Sequence, residues 1–202
     1  MVIRVLVADD HALVRGALVA LLNLEADIEV VAEASDGSQV LAAVLEHRVD
    51  VCLLDIQMPV MDGIEATARV RAGAPTCRVL IVTTFGRTGY LRRSLEAGAS
   101  GFVVKDTPAA QLAEAIRRVH AGLRVVDPQL AAESLAEGGN PLTAREREVL
   151  GLARDGLPIA AIASAVHLTS GTVRNHLSAA IGKTGAGNRI EAARTAADRG
   201  WL

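Results

Sequence analysis

The sequence predicts a doubly wound α/β domain followed by a small all-helical one, and two observations carry that prediction. Short apolar runs alternate five times with helical patterns over residues 1–121, whereas beyond residue 140 every hydrophobic repeat has the helical period. The predicted strands begin near Ile3, Ile28, Asp50, Arg78 and Gly101, and the predicted helices near His11, Gly37, Gly63, Thr88 and Pro108. The runs Val2-Ile3-Arg4-Val5-Leu6-Val7, Asp50-Val51-Cys52-Leu53-Leu54 and Gly101-Phe102-Val103-Val104 are almost continuously apolar, as in strands covered on both faces. Right-handed crossovers then give one parallel (βα)5 sheet of order 2-1-3-4-5 with helices on both sides.

Each of three runs delivers a charge to the same edge of that sheet. Asp9 and Asp10 follow the first strand, Asp55 the third and Lys105 the fifth. The carboxyl ends of parallel strands are where open α/β sheets bind ligands, so this is a predicted site. Crowded carboxylates resist ionising unless a cation neutralises them, and hard oxygen donors beside a lysine suit magnesium and a phosphoryl group.

Composition sets the remaining bounds. With 202 residues, 50% of them hydrophobic and 22% charged, one or two globular domains are expected. The aromatics are one Trp, one Tyr and two Phe, so the cores must be aliphatic. No apolar run is long enough to span a bilayer and no basic stretch precedes an apolar one at the N-terminus, which predicts a cytoplasmic protein without membrane insertion. Cys52 and Cys77 both fall in or beside apolar strands without paired spacing, pointing to neither a disulfide nor a zinc site. The net charge of −2 is unevenly spread: residues 139–202 carry eight Lys/Arg against five Asp/Glu, so the tail is basic and the body acidic.

Residues 122–140 read as a linker, with a short helix from Asp127-Pro128 and a flexible joint at Glu137-Gly138-Gly139-Asn140-Pro141. The helical domain, residues 141–202, opens on a capping box in which Thr143 is the N-cap and Glu146 lies three residues on. A helix to about Gly156, a short one from Pro158 and a third capped by Thr169 or Ser170 form a helix-turn-helix pattern, and a last helix runs from about Arg189 to Arg199. Val173 and Leu177, spaced i, i+4, should face the core and leave Arg174, Asn175 and Ser178 outward for base edges. Thr143, Thr169, Ser170, Thr172, Lys183 and Arg189 are assigned to the same DNA-facing set, chiefly as phosphate contacts. The glycines of 182–187 are expected to loosen the end of the third helix.

These residues resemble a known family. Ala8-Asp9-Asp10-His11, Leu54-Asp55-Ile56-Gln57-Met58-Pro59 with Met61-Asp62-Gly63, Val82-Thr83-Thr84 and Gly101-Phe102-Val103-Val104-Lys105-Asp106 resemble the receiver domain of two-component response regulators. LTAREREVL and SGTVRNHLS are similar to the LuxR-type helix-turn-helix of the NarL/FixJ branch. Within it, LLNLEADIEVV, TTFGRTGYLRRSLEAGASG and GGNPLTAREREVL look most like DesR-type regulators of membrane-lipid fluidity.

The resemblance implies a phosphorylation-switched transcription factor. Asp55 would accept a phosphoryl group from a sensor histidine kinase, and Asp9, Asp10, Asp55 and the backbone carbonyl of Gln57 would hold Mg²⁺. Lys105 and Thr83 would contact phosphoryl oxygens, and Thr83 with Phe102 would form the switch. Phosphorylation would promote a homodimer on paired half-sites of double-stranded DNA, through the first helix (Leu13, Val14, Ala17, Leu18) and the fifth (Leu112, Ala115, Ile116, Val119). Asp106 stands where many receivers have a proline after a cis bond, so a trans loop is expected.

Alternatives stay open at the level of residues. Singly, Asp10 has the rival reading of a helix cap, Asp55 of a turn residue, Thr83 of a β-former, Phe102 of core, Arg174 of a solvated charge and His176 of a partly buried residue. At the level of function, the rivals are a phosphorylation-independent DNA-binding protein with a dimerising scaffold and a magnesium-dependent aspartyl-phosphate hydrolase. The hydrolase typically needs a second acid where this chain has Gln57.

Overall fold

A computed structural model describes residues 2–84, 88–128, 130–132 and 140–202. They form two compact units, a sheet-bearing one that ends at Ala132 and one that groups residues 88–90 with the helical segment 140–202.

The first unit is a parallel sheet of six strands, β1 (Ile3–Ala8), β2 (Ile28–Ala34), β3 (Val51–Leu54), β4 (Arg78–Thr83), β5 (Gly101–Val104) and β6 (Val125–Val126), in the order 2-1-3-4-5-6. The strand starts predicted from sequence lie within a residue of those observed. The sheet is one strand wider than predicted: Val125 and Val126, in the segment read as linker, pair with Gly101 and Phe102. Two valines are too short a run to register as a strand, and only the β5 edge makes them one.

Burial follows position in the sheet. Every residue of β3 is buried, as are all of β1 but Arg4 and all of β4 but Arg78, whereas the edge strand β2 buries only its two ends. Among the described residues, five α-helices accompany the sheet: α1 (Ala12–Leu22), α2 (Val40–His47), α3 (Gly63–Gly73), α4 (Thr88–Glu96) and α5 (Ala109–His120), with a 3-10 turn at Gly37–Gln39 before α2. The amphipathic α5 buries Leu112, Ala115, Ile116 and Val119 against β1, β3 and β4 residues. By contrast α1 buries only Leu22; Leu13 is 87% exposed, Ala17 is exposed, and Val14 and Leu18 are half-buried. After β6, Asp127 starts a helical turn by accepting from the Leu130 amide at 3.0 Å. The predicted joint lies outside the described residues except for Asn140 and Pro141.

The second unit comprises α6 (Ala144–Arg154), α7 (Ile159–Ala165), α8 (Ser170–Thr184) and α9 (Arg189–Asp198) around Leu142, Val149, Leu150, Ile162, Val173, Leu177, Ala193 and Trp201. Thr143 and Glu146 form the reciprocal capping box, and Thr169 caps α8 by accepting from the Thr172 amide. The glycines do not cut α8 short. Gly182 lies within the helix, which ends at Thr184 on Gly185 in the left-handed conformation at φ 70°.

Glu146 does more than cap. It is only 5% exposed and accepts from Lys183 on both oxygens, at 2.7 and 2.9 Å, across 37 residues. Burial alone would raise its carboxyl, but the Lys183 ammonium and Thr143 hold it below the ordinary value. A depressed folded pKa adds stability that is fully present above the unfolded value of about 4.3 and is lost as pH falls through the folded one. Glu146→Ala is expected to destabilise this unit by about 2 kcal/mol through the lost cap and unpaired lysine, and to flatten its acid unfolding profile, both read by urea melts between pH 7 and pH 3.

Candidate functional site

The polar residues at the carboxyl ends of β1, β3 and β5 meet in one pocket. The Lys105 Nζ lies 2.7 Å from Asp9 Oδ2 and 2.9 Å from Asp55 Oδ2. Parallel register delivers them there: the Asp55 amide donates to the Ala8 carbonyl at 2.9 Å, and the Lys105 amide to the Thr83 carbonyl at 2.7 Å. Each strand end is thereby tied to its neighbour just where its charge emerges.

Asp9 and Asp55 are 1% and 5% exposed, so their charges are held in a poorly solvated place. Burial pushes the Asp55 carboxyl up from its ordinary value, against the opposing pull of the Lys105 ammonium. Burial would likewise lower Lys105, but hydrogen bonds to Asp9 and Asp55 carry it above its ordinary value. The lysine is therefore a firmly charged cation shared by two carboxylates. Ligand atoms of Asp9, Asp10, His11 and Asp55 all lie within 4.8 Å of one another, an oxygen-rich set whose chemistry fits a hard divalent cation.

The other residues predicted for this site lie on the neighbouring strands and the loop after β3. Thr83 ends β4, 1% exposed, beside Val104 of β5. Phe102 is fully buried in β5, paired in register with Ile81. Gln57 is exposed, two residues past Asp55. The loop after Lys105 is trans, since no cis peptide bond occurs among the described residues.

Four residues at or beside predicted helix starts make contacts near the pocket that the sequence does not show. A Cβ on Gly63 would lie 2.0 Å from the Asp55 carbonyl oxygen, so only glycine lets α3 start against the loop that carries Asp55. Asp62 caps that helix by accepting from the Glu65 amide at 2.7 Å. His11 does not merely begin α1: its Nδ1 is 2.7 Å from Asp10 Oδ1, and its amide donates to Asp9 Oδ1 at 2.9 Å. Arg15 donates to the Asp9 carbonyl at 2.6 Å and to Glu33 at 3.1 Å, pinning the β1–α1 loop to β2. The adjacency of glycine to Asp62 and of histidine to Asp10 was visible; the contacts were not.

In the helical unit, Val173 and Leu177 are buried, which leaves Arg174, Asn175 and Ser178 exposed on α8. Thr143 and Thr169 are exposed at helix N-termini, Ser170, Thr172 and Arg189 are half-buried, and His176 is half-buried as well. Thr169 and Thr172 exchange a hydroxyl contact at 2.9 Å. Lys183, assigned from sequence to DNA phosphate, spends its ammonium on Glu146 in this structure.

A buried acid–lysine pocket on a parallel sheet, followed by a helix-turn-helix unit, defines a two-domain transcription regulator with a signal-receiving input. Residues 5–117 match the response regulator receiver domain, and residues 140–196 match the bacterial regulatory proteins of the luxR family. The chain belongs to the response regulator family, with a LuxR-type DNA-binding domain. It is 42% identical over 200 residues to the transcriptional regulatory protein DesR of Bacillus subtilis (strain 168), covering 99% of both chains. It is 41% identical over 200 residues to the transcriptional regulatory protein YvfU of that strain, covering 99% of this chain and 100% of the other. Among solved structures, the response regulator ChrA of a heme-sensing two-component system matches with a TM-score of 0.60 at 36% identity, over 100% of this chain and 99% of that one. No helix among the described residues is long and apolar enough to cross a membrane.

Proposed function

We propose that Asp55 accepts a phosphoryl group from a sensor histidine kinase and that the resulting charge drives dimerisation on DNA. The observation that carries this reading is Lys105 shared between two buried carboxylates at the edge where parallel sheets bind ligands. In the transfer, a carboxylate oxygen of Asp55 forms the new O–P bond in line as the P–N bond of phosphohistidine breaks. Mg²⁺, held by Asp9, Asp10, Asp55 and the Gln57 carbonyl, would supply charge neutralisation. Lys105 moves its ammonium from Asp55 to a phosphoryl oxygen, and Thr83 donates its hydroxyl to another. Drawing Thr83 inward opens room for the Phe102 ring to turn. The chain's chemistry is confined to gaining and losing this group at its own aspartate.

The receiver is assigned to residues 1–121 with β6 appended, the linker to the segment before residue 141 and the DNA-binding domain to 141–202. Arg174, Asn175 and Ser178 read bases in the major groove, while Thr143, Thr169, Ser170, Thr172 and Arg189 engage phosphates; Lys183 joins them only by leaving Glu146. The protein works in the cytoplasm, where kinase and DNA are both accessible. Because the sheet already occupies Leu112, Ala115, Ile116 and Val119, the dimer contact falls on α1, where Leu13 stands clear. Phosphorylation needs to shift the monomer–dimer balance by only a few kcal/mol.

Sedimentation with and without beryllofluoride tests this. The full chain is expected to double in mass with the mimic, and Leu13→Asp to bind the mimic yet stay monomeric. An unchanged mass for the unsubstituted chain would overturn the reading.

A further inference from the structure

We propose that Cys52 and Cys77 form a second site of covalent modification, a dithiol that a hydroperoxide converts into an internal disulfide. The two sulfurs lie 3.5 Å apart, both as free thiols and 25 residues apart in sequence. Cys52 sits in the middle of β3 with no exposure, and Cys77 in the bend before β4 with 1%. A disulfide requires the sulfurs to close to about 2.05 Å, roughly 1.5 Å nearer than they stand, with a Cβ–S–S–Cβ torsion of about 90°. Such a movement is within reach of a side chain in a bend at the end of a strand.

Buried thiols are ordinarily inert, and three features set this pair apart. A cavity of about 400 Å³ opens beside Cys77, lined among others by Val49, Asp50, Ala74 and Pro75, at the end of the strands away from Asp55. The Arg71 guanidinium donates to the carbonyls of Pro75 and Cys77 at 2.6 and 2.9 Å, placing a positive charge next to the thiol. The contact with the Cys52 sulfur and the Arg71 charge together lower the Cys77 thiol against burial and the nearby Asp50, and its Sγ also lies 3.6 Å from the Arg78 carbonyl oxygen. Burial pushes the Cys52 thiol up, so the first attack falls to Cys77.

The chemistry balances with a hydroperoxide as the only co-reactant. The Cys77 thiolate attacks the terminal peroxide oxygen, the O–O bond breaks, and water or an alcohol leaves after taking up a proton, giving a sulfenic acid. The Cys52 sulfur then attacks that sulfur; the S–S bond forms, and the departing hydroxide takes the Cys52 proton as water. Two thiols and one hydroperoxide thus yield one disulfide, one water and one alcohol or second water, with two electrons passing from sulfur to oxygen. The bond would fasten β3 to the segment leading into β4 and close a 25-residue loop beneath the phosphoacceptor strand.

The test is intact-mass measurement and peptide mapping of the reduced full chain after exposure to hydrogen peroxide. A loss of about 2 Da, a peptide linking Cys52 to Cys77 and recovery with dithiothreitol are expected. The same disulfide should form in Asp55→Asn, since it does not depend on phosphorylation, and no mass loss should occur in Cys52→Ala. Should that variant not fold, the peptide map of the unsubstituted chain decides alone. Two thiols that stay open to alkylation after unfolding, a Cys77 sulfinic acid with Cys52 still reduced, or a disulfide between two chains would each overturn the proposal.

Discussion

Asp55→Asn should abolish phosphorylation while leaving the fold in place. The substitution keeps shape and volume, and Lys105 retains Asp9 as a partner at 2.7 Å, so no buried charge is stranded. An amide oxygen is too weak a nucleophile to attack phosphorus. With acetyl phosphate or carbamoyl phosphate as donor, intact-mass spectrometry should find one phosphoryl group on the unsubstituted chain and none on the variant. An adduct of equal yield on both would move the phosphoacceptor elsewhere. The counterpart substitution, Lys105→Ala, removes the cation between two carboxylates that are 1% and 5% exposed, and should carry the Asp55 carboxyl still higher.

Arg174→Ala should weaken binding to a cognate operator by about 1–3 kcal/mol, roughly a fivefold to 150-fold loss. Arg174 is exposed on α8 between the buried Val173 and Leu177, so the substitution touches no core contact and its cost is read as recognition alone. A base contact would relax preference at one position of the site and leave the salt dependence nearly intact, whereas a phosphate contact would weaken all sequences alike and reduce the salt slope. Footprinting across a salt series separates the two. An unchanged footprint would remove Arg174 from the interface. Receiver phosphorylation should be indifferent to the change.

The sheet was legible because its central strands are buried on both faces. Val51 through Leu54 and Val79 through Val82 are continuous apolar runs, and the polar residues ending such runs stand out for that reason. β6 was not legible, for Val125 and Val126 become a strand only by completing the edge of β5. The capping box and the spacing of Val173 and Leu177 were also plain, being local patterns of three or four residues. The place where α8 ends was set by Gly185, a glycine just past the helix in the left-handed conformation, with Gly182 still inside it.

The sequence by itself determined two domains, the order of the first five strands, the acid–lysine set and the outward face of α8. All of these follow from local periodicity and from the rule that parallel strands present their carboxyl ends together. Only the tertiary structure decided which groups share an atom's reach. It placed one lysine between Asp9 and Asp55, set Glu146 against Lys183 and Cys52 against Cys77, and pressed Gly63 onto the Asp55 carbonyl. It also divided two apolar helices between core and solvent, burying one face of α5 and leaving Leu13 of α1 exposed. Contacts across 25 or 37 residues depend on how strands and helices pack, and packing is set by the whole chain rather than by any stretch of it.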